Sequence, residues 1–180
     1  MIVVLNGYLS WIDNVLEINL EATDEFDFDY DIRICDSPKE VRELMLKKDK
    51  INNKSRMVEG YCWNRIKEGK NNSDIHDIQI GDFGMSWNLG SSSTWAIDPE
   101  SVNEIGCIHT CRGLEFDYAG VIIGEDLRYD GGIITDFTKR ARTDQSLKGL
   151  KGLYKKNKEE ALEIADSIIK NTYRTLLTRG

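Results

Sequence analysis

The chain has 180 residues, 40% apolar and 31% charged, with a formal net charge of −7. This is the size of one soluble domain that buries most of its apolar surface without disulfide or metal staples. The charge excludes a protein that coats nucleic acid through a broad basic surface. The longest apolar run, Ala119 to Ile123 around Gly120, is far too short for a bilayer span, and no signal-like segment is visible, so no membrane partner and a cytoplasmic location are expected.

Taken in chain order, Leu9, Ile12, Val15 and Leu16 recur at helical spacing within Gly7 to Leu20. In "DEFDFDYDIRI", Phe26, Phe28, Tyr30, Ile32 and Ile34 alternate with Asp27, Asp29, Asp31, Arg33 and Cys35, which predicts a half-buried strand. "DSPKEVRELMLKK" starts a helix, with Ser37 as N-cap, Pro38 in the first position and Glu40 completing a capping box. "SRMVEGYCW" reads as a strand. "DIHDIQI" and "GMSWNL" read as a hairpin, with Gly81 to Gly84 between them. Residues 124–157 form a long polar excursion with little core of its own and one short helix around Thr143 to Tyr154. Leu162, Ala165, Ile168, Ile169, Tyr173 and Leu176 then mark a terminal helix. Alternating strands and helices predict one three-layer α/β domain over residues 1–180 with a largely parallel sheet, in which a last strand after the final helix is missing.

Several possible chemistries are weak. G-x-x-x-x-G-K-[ST] and G-x-G-x-x-G are both absent, so the chain has no phosphate-cradling loop of its own. "VIIGED" places Glu125 and Asp126 after an apolar strand, as a magnesium site would, but a strand ending in an acidic turn is common. Asp27, Asp29 and Asp31 could serve a metal-dependent nuclease, yet at a spacing of two on a flat strand they diverge. Cys107, His109 and Cys111 lack a fourth zinc ligand, so Cys35, Cys62, Cys107 and Cys111 are expected as free thiols and no resident metal is expected. Trp11, Trp63, Trp87 and Trp95 are expected mostly in the core, with Trp63 the best candidate for stacking a base.

Two stretches are sharper. "CIHTCRGLEFDYAGVIIG" sets a His, an Arg, a Gly and a Glu between two apolar runs. Ile108 to Phe116 resembles motif V of superfamily-one helicases: His109, Gly113, Leu114, Glu115 and Phe116 match, and Arg112 stands where a lysine is usual. Thr172 to Gly180 resembles motif VI through Thr178 and Arg179, with Gly180 in place of alanine. Over nearly the whole chain, "GYLSWIDNVLEI", "GYCWNR", "WAIDPESVNEIGCIHTCRGLEFDYAGVIIGEDLRY" and "RTDQSLKGLK" resemble the C-terminal half of the Schlafen-like DNA/RNA helicase family.

That resemblance implies a second RecA-like domain of the P-loop NTPase type. It implies a partner, the first RecA-like domain of the same parent protein, which would bring the phosphate loop and with it ATP and Mg2+. Arg179 matches the arginine that reaches the γ-phosphate. Glu115, Gly113 and Arg112 match nucleotide-side positions, and His109 and Thr110 match the place where motif V meets DNA or RNA. The expected function is half of an ATP-dependent helicase or ATPase site, inactive alone and only weakly bound to nucleic acid. The rival expectations are a non-catalytic interaction module on a degenerate helicase fold and the metal-dependent nuclease.

Overall fold

The computed structural model describes residues 5–22, 30–69, 72–88, 94–111 and 113–180. Helix α1, Leu5–Val15, presents Tyr8 and Ile12 to the core, and Leu16 just beyond it is buried too. Helix α2, Pro38–Asn52, starts where Ser37 Oγ accepts from the Glu40 N–H at 3.3 Å. Glu40 returns to the N–H of Asp36 rather than that of Ser37, so the box closes one residue early. Asn53 ends the helix in the left-handed conformation, at φ 57°.

Strands β1 (Ser55–Glu59), β2 (Ile78–Ile80), β3 (Phe83–Trp87), β4 (Glu104–Cys107) and β5 (Tyr118–Ile122) form one sheet in the order β2-β3-β4-β1-β5. The pairs β1–β4, β1–β5 and β3–β4 are parallel, and only β2 runs antiparallel to its neighbour β3. The β2–β3 turn is tighter than the sequence spacing implies, because Phe83 and Gly84 already belong to β3 and only Gly81 and Asp82 turn. The interior strand β1 is buried along its whole length, as a parallel strand covered on both faces must be. On one face Met57, Ile105 and Ile122 pack with Met45 of α2. On the other, Val58 packs with Tyr8 and Ile12 of α1 and with Ile169, Tyr173 and Leu176 of helix α4, Lys158–Leu177. The result is a three-layer α/β domain.

Two expectations change. Tyr30–Cys35 belongs to neither sheet; Tyr30 instead stacks on Tyr8 with ring centroids 4.3 Å apart, and residues 23–29 lie outside the described residues. The excursion is also better anchored than its polarity suggests. It contains a two-stranded hairpin, β6 (Leu127–Tyr129) with β7 (Ile133–Thr135), and a short helix α3, Leu150–Lys156, packed on α4 through Leu150, Ala161 and Ala165. Among the described residues no helix is long and apolar enough to cross a membrane.

Arg56 of β1 is wholly buried. Its guanidinium meets Asp49 at 2.7 Å and Asn53 at 2.8 Å, both at the end of α2, and the Asp98 carbonyl at 2.9 Å before β4. One cation therefore joins three elements. Arg56→Met leaves the Asp49 carboxylate without its counter-ion and Asn53 Oδ1 without its donor, so we expect a loss of about 3–5 kcal/mol, read as a lower midpoint in urea unfolding. An unchanged midpoint would show that the sheet does not rest on this contact.

Candidate functional site

Because β1, β3, β4 and β5 run the same way, the loops that follow them gather at one edge of the sheet. The loop carrying the motif V resemblance begins at this edge and does not stay there. Cys107 ends β4, and the N–H groups of Thr110 and Cys111 both turn back to its carbonyl, at 2.9 and 3.1 Å. The loop then crosses to the far edge, where the Asp117 N–H bonds the carbonyl of Lys54, just ahead of β1, at 2.9 Å. His109 and Thr110 lie at the strand ends; Glu115 lies toward the strand starts. The loop as a whole therefore does not stay at the C-terminal edge of the strands. The reason is topological: β5 lies across β1 from β4 and parallel to it, so the chain must return the length of the sheet before entering β5.

Gly113 makes the bend in this crossing. Its φ is +74° and no atom stands where a Cβ would go, so backbone conformation and not crowding requires glycine. Arg112 lies outside the described residues. Beyond the bend, Leu114 and Phe116 pack into the core and Glu115 stays exposed. Glu115 faces Tyr30, whose hydroxyl is held above its usual pKa first by burial and then by this carboxylate.

Arg179 reaches the same stretch from the end of α4. Its carbonyl accepts from the Phe116 N–H at 2.7 Å, and one guanidinium nitrogen lies 3.5 Å from the Leu114 carbonyl. Among the described residues it has no ion-pair partner, and its Nε is buried with no hydrogen-bond acceptor. It stands close to Cys111, whose thiol burial raises to about 11 while the guanidinium pulls it back. Arg174, one turn earlier, is different: it is ion-paired to Asp13 of α1 and ties two helices together.

At the opposite edge His109 is exposed, with its ring 5.6 Å edge-on from Tyr61. Tyr61 in turn meets Trp87 edge-on at 4.8 Å. The Thr110 hydroxyl turns inward to Cys107 Sγ at 3.4 Å. Trp87 and Trp95 are core residues, while Trp63 lines an open cavity of about 430 Å³ with Cys62, Ile80, Ile123 and the Glu125–Lys139 pair. Tyr61 was not singled out by sequence; its backbone φ of +76°, rare for a bulky residue, is invisible in composition or spacing.

The acidic turn after β5 holds no magnesium-type arrangement. Asp126 is wholly buried, accepts from the Tyr173 hydroxyl at 2.5 Å and pairs with Arg140 at 3.0 Å. Arg140 also pairs with Asp144 at 2.7 Å and donates to the Gly60 carbonyl. Asp31 pairs with Arg33 and Lys48, and Asp27 and Asp29 lie outside the described residues. Among the described residues no group of three or more His, Cys, Asp and Glu converges as a metal ion needs, and all four cysteines are free.

Residues 3–180 match the family described as Schlafen group 3, DNA/RNA helicase domain. The chain belongs to that family. It is also similar to the uncharacterized protein YPL245W of Saccharomyces cerevisiae, 28% identical over 180 residues, 97% of this chain and 38% of that protein. The chain thus spans well under half the length of that relative. No solved structure gives a significant match. The five-stranded, mostly parallel sheet between helix layers is what a RecA-like helicase domain requires.

Glu59, at the end of β1, gives this Schlafen-type domain a pH dependence. Burial raises its carboxyl from 4.5 to about 7; the N–H groups of Tyr61 and Cys62 and the Arg140 guanidinium pull the other way, and Asp126 adds to the rise. The folded chain therefore holds this proton up to about pH 7 while the unfolded chain releases it near 4.5. Stability contributed here falls as pH rises through that window and levels off above it, by on the order of 3 kcal/mol in full. Glu59→Gln keeps the acceptor for both N–H groups, so we expect it to flatten this slope and to melt above the parent at alkaline pH. Parallel melting curves for the two proteins between pH 5 and 8 would refute the assignment.

Proposed function

We propose that this domain is the second motor half of a superfamily-one-type ATP-dependent DNA or RNA helicase or ATPase, and that Arg179 is its arginine finger. Membership of the Schlafen group 3 helicase family supports the class. The observation that carries the residue assignment is the state of Arg179: it is held beside Leu114–Phe116 without a carboxylate partner among the described residues, and its Nε is unsatisfied. A partly buried guanidinium left without a counter-ion is costly unless an anion completes it. A phosphate group of ATP meets that need, because it accepts bidentate bonds from the guanidinium fork.

ATP and Mg2+ would be held mainly by the phosphate loop of a first RecA-like domain, and they supply the phosphoryl group and most of its charge. The part of this chain is to close the cleft and set a fixed cation against that charge, with Glu115 and the Gly113 bend on the same rim. His109 and Thr110, at the other end of the same loop, would meet the nucleic acid. One loop then joins both ligands, so movement at one end is felt at the other. With no phosphate loop in its 180 residues, the chain by itself is expected to show no ATP turnover above background.

The test pairs this chain with the phosphate-loop domain of its own protein. Arg179→Ala should leave ATP binding nearly intact and cut turnover by roughly 10³-fold or more, equal to about 4 kcal/mol of barrier. Arg179→Lys should rescue little, because a point charge lacks the planar fork. Arg174→Ala, at the ion pair with Asp13, should keep most of the turnover. If Arg179→Ala hydrolyses ATP within a few-fold of the parent, Arg179 is no finger and the domain is better read as a non-catalytic interaction module.

A further inference from the structure

The net charge of −7 hides a strong local asymmetry. Residues 139–158 hold eight lysines and arginines against one acid, Asp144, while the whole chain carries 24 against 31. Arg140 is buried and paired with Asp126 and Asp144, and Lys139 pairs with Glu125. Arg142, Lys148, Lys151 and Lys155 are exposed, and none has an ion-pair partner among the described residues. Lys151 and Lys155 stand four residues apart on α3 and therefore share a face, while the helix packs on α4 through Leu150. Lys148 lies just ahead of the Gly149 N-cap, at the start of the same helix.

The segment that leads into this face, Arg140 to Arg142, is joined directly to the loop that holds the aromatic rings. The Ala141 N–H donates to the Tyr61 carbonyl and the Arg142 N–H to Asn64 Oδ1, each at 2.9 Å, and Arg140 donates to the Gly60 carbonyl. Tyr61 is held in a left-handed backbone conformation that a bulky residue rarely adopts, with its ring between Trp87 and the exposed His109. Strain of this kind persists only where the surroundings enforce it, and it collects at binding sites.

We infer that Arg142, Lys148, Lys151 and Lys155 form a track for the phosphates of a single-stranded nucleic acid whose bases reach the Tyr61–His109 rings. The inference rests on the reading of this domain as a nucleic-acid motor and assigns that motor a contact surface outside the motif V loop. Unpaired cations beside aromatic rings match a polynucleotide whose bases are unstacked, whereas a duplex hides the base faces the rings need.

The experiment is fluorescence anisotropy on the 180-residue chain with a labelled oligo-dT of about 20 nucleotides, over a salt series. Combined Lys148→Glu, Lys151→Glu and Lys155→Glu should weaken binding at least about tenfold, and the Lys→Gln version should lower the slope of log affinity against log salt by roughly 2, near 0.7 for each lost phosphate contact. Tyr61→Leu should weaken binding with the slope unchanged. Lys47→Glu with Lys50→Glu on α2, a charge reversal of two lysines elsewhere, should do little. Melting curves confirm that each variant is folded. The track is refuted if the Gln variant binds as the parent does. It is equally refuted if a blunt duplex or vesicles of anionic phospholipid bind as tightly with the same lysine dependence, since the face would then be a general polyanion patch. Loss of binding on His109→Ala with the lysine variants and Tyr61→Leu binding as the parent does would refute the track while leaving the motor reading to the Arg179 turnover experiment.

Discussion

The Tyr173 hydroxyl is the hinge pin of this domain. It donates to Asp126 and accepts from the Gly124 N–H at 2.9 Å, so a residue of α4 closes the end of β5. Asp126 then pairs with Arg140, and Arg140 reaches Asp144 and the Gly60 carbonyl after β1. One buried polar chain thus fixes the last helix, two strand ends and the excursion. A charge buried to this depth is tolerated only when its partners are all in place. That requirement makes the arrangement specific: the excursion has one seat on the sheet, and the loop after β1 has one shape.

The shape of that loop matters because everything at the strand-end edge leans on it. Tyr61, Cys62 and Trp63 follow β1 directly; Glu59 Oε2 takes the N–H groups of Tyr61 at 2.5 Å and Cys62 at 3.0 Å. The buried carboxylate acts as a local cap for a loop that has left the sheet. Its other oxygen has no partner, which is why burial dominates its protonation. The arrangement stores some cost in one carboxyl and in one left-handed tyrosine, and it delivers a tyrosine ring set beside His109.

The loop from His109 to Phe116 connects that edge with Arg179. Its two ends differ physically. The His109 end is exposed, aromatic and next to the stitched basic segment; at the other end Leu114 and Phe116 are held by Arg179, and the exposed Glu115 faces Tyr30. A single bend at Gly113 separates them. A motor domain that must read nucleotide state at one place and nucleic acid at another has use for such a strap, since its ends are fixed to different layers of one rigid sheet.

Local sequence determined a good deal. Ser37 and Pro38 set the start of α2, the apolar stripe from Ala165 to Leu176 set α4, and the alternation of strands and helices announced a largely parallel sheet. The order of residues in Ile108–Phe116 pointed to a superfamily-one helicase motif, and the longer stretches from Gly7 to Lys151 pointed to the family. The alternation from Phe26 to Ile34 misled over Tyr30–Cys35, because a period of two states which face a strand would bury and says nothing about whether a neighbour exists to pair with it. Tertiary structure alone decided that Asp126 is a buried anchor and not a metal ligand, since its partners Arg140 and Tyr173 are 14 and 47 residues away. It alone set Glu115 and Arg179 apart from His109, because that follows from the strand order and not from the spacing of residues along the chain. Helix signals are local hydrogen-bond and packing periods, legible in a few residues; the meeting of distant charges is a property of the closed fold, and no window of sequence contains it.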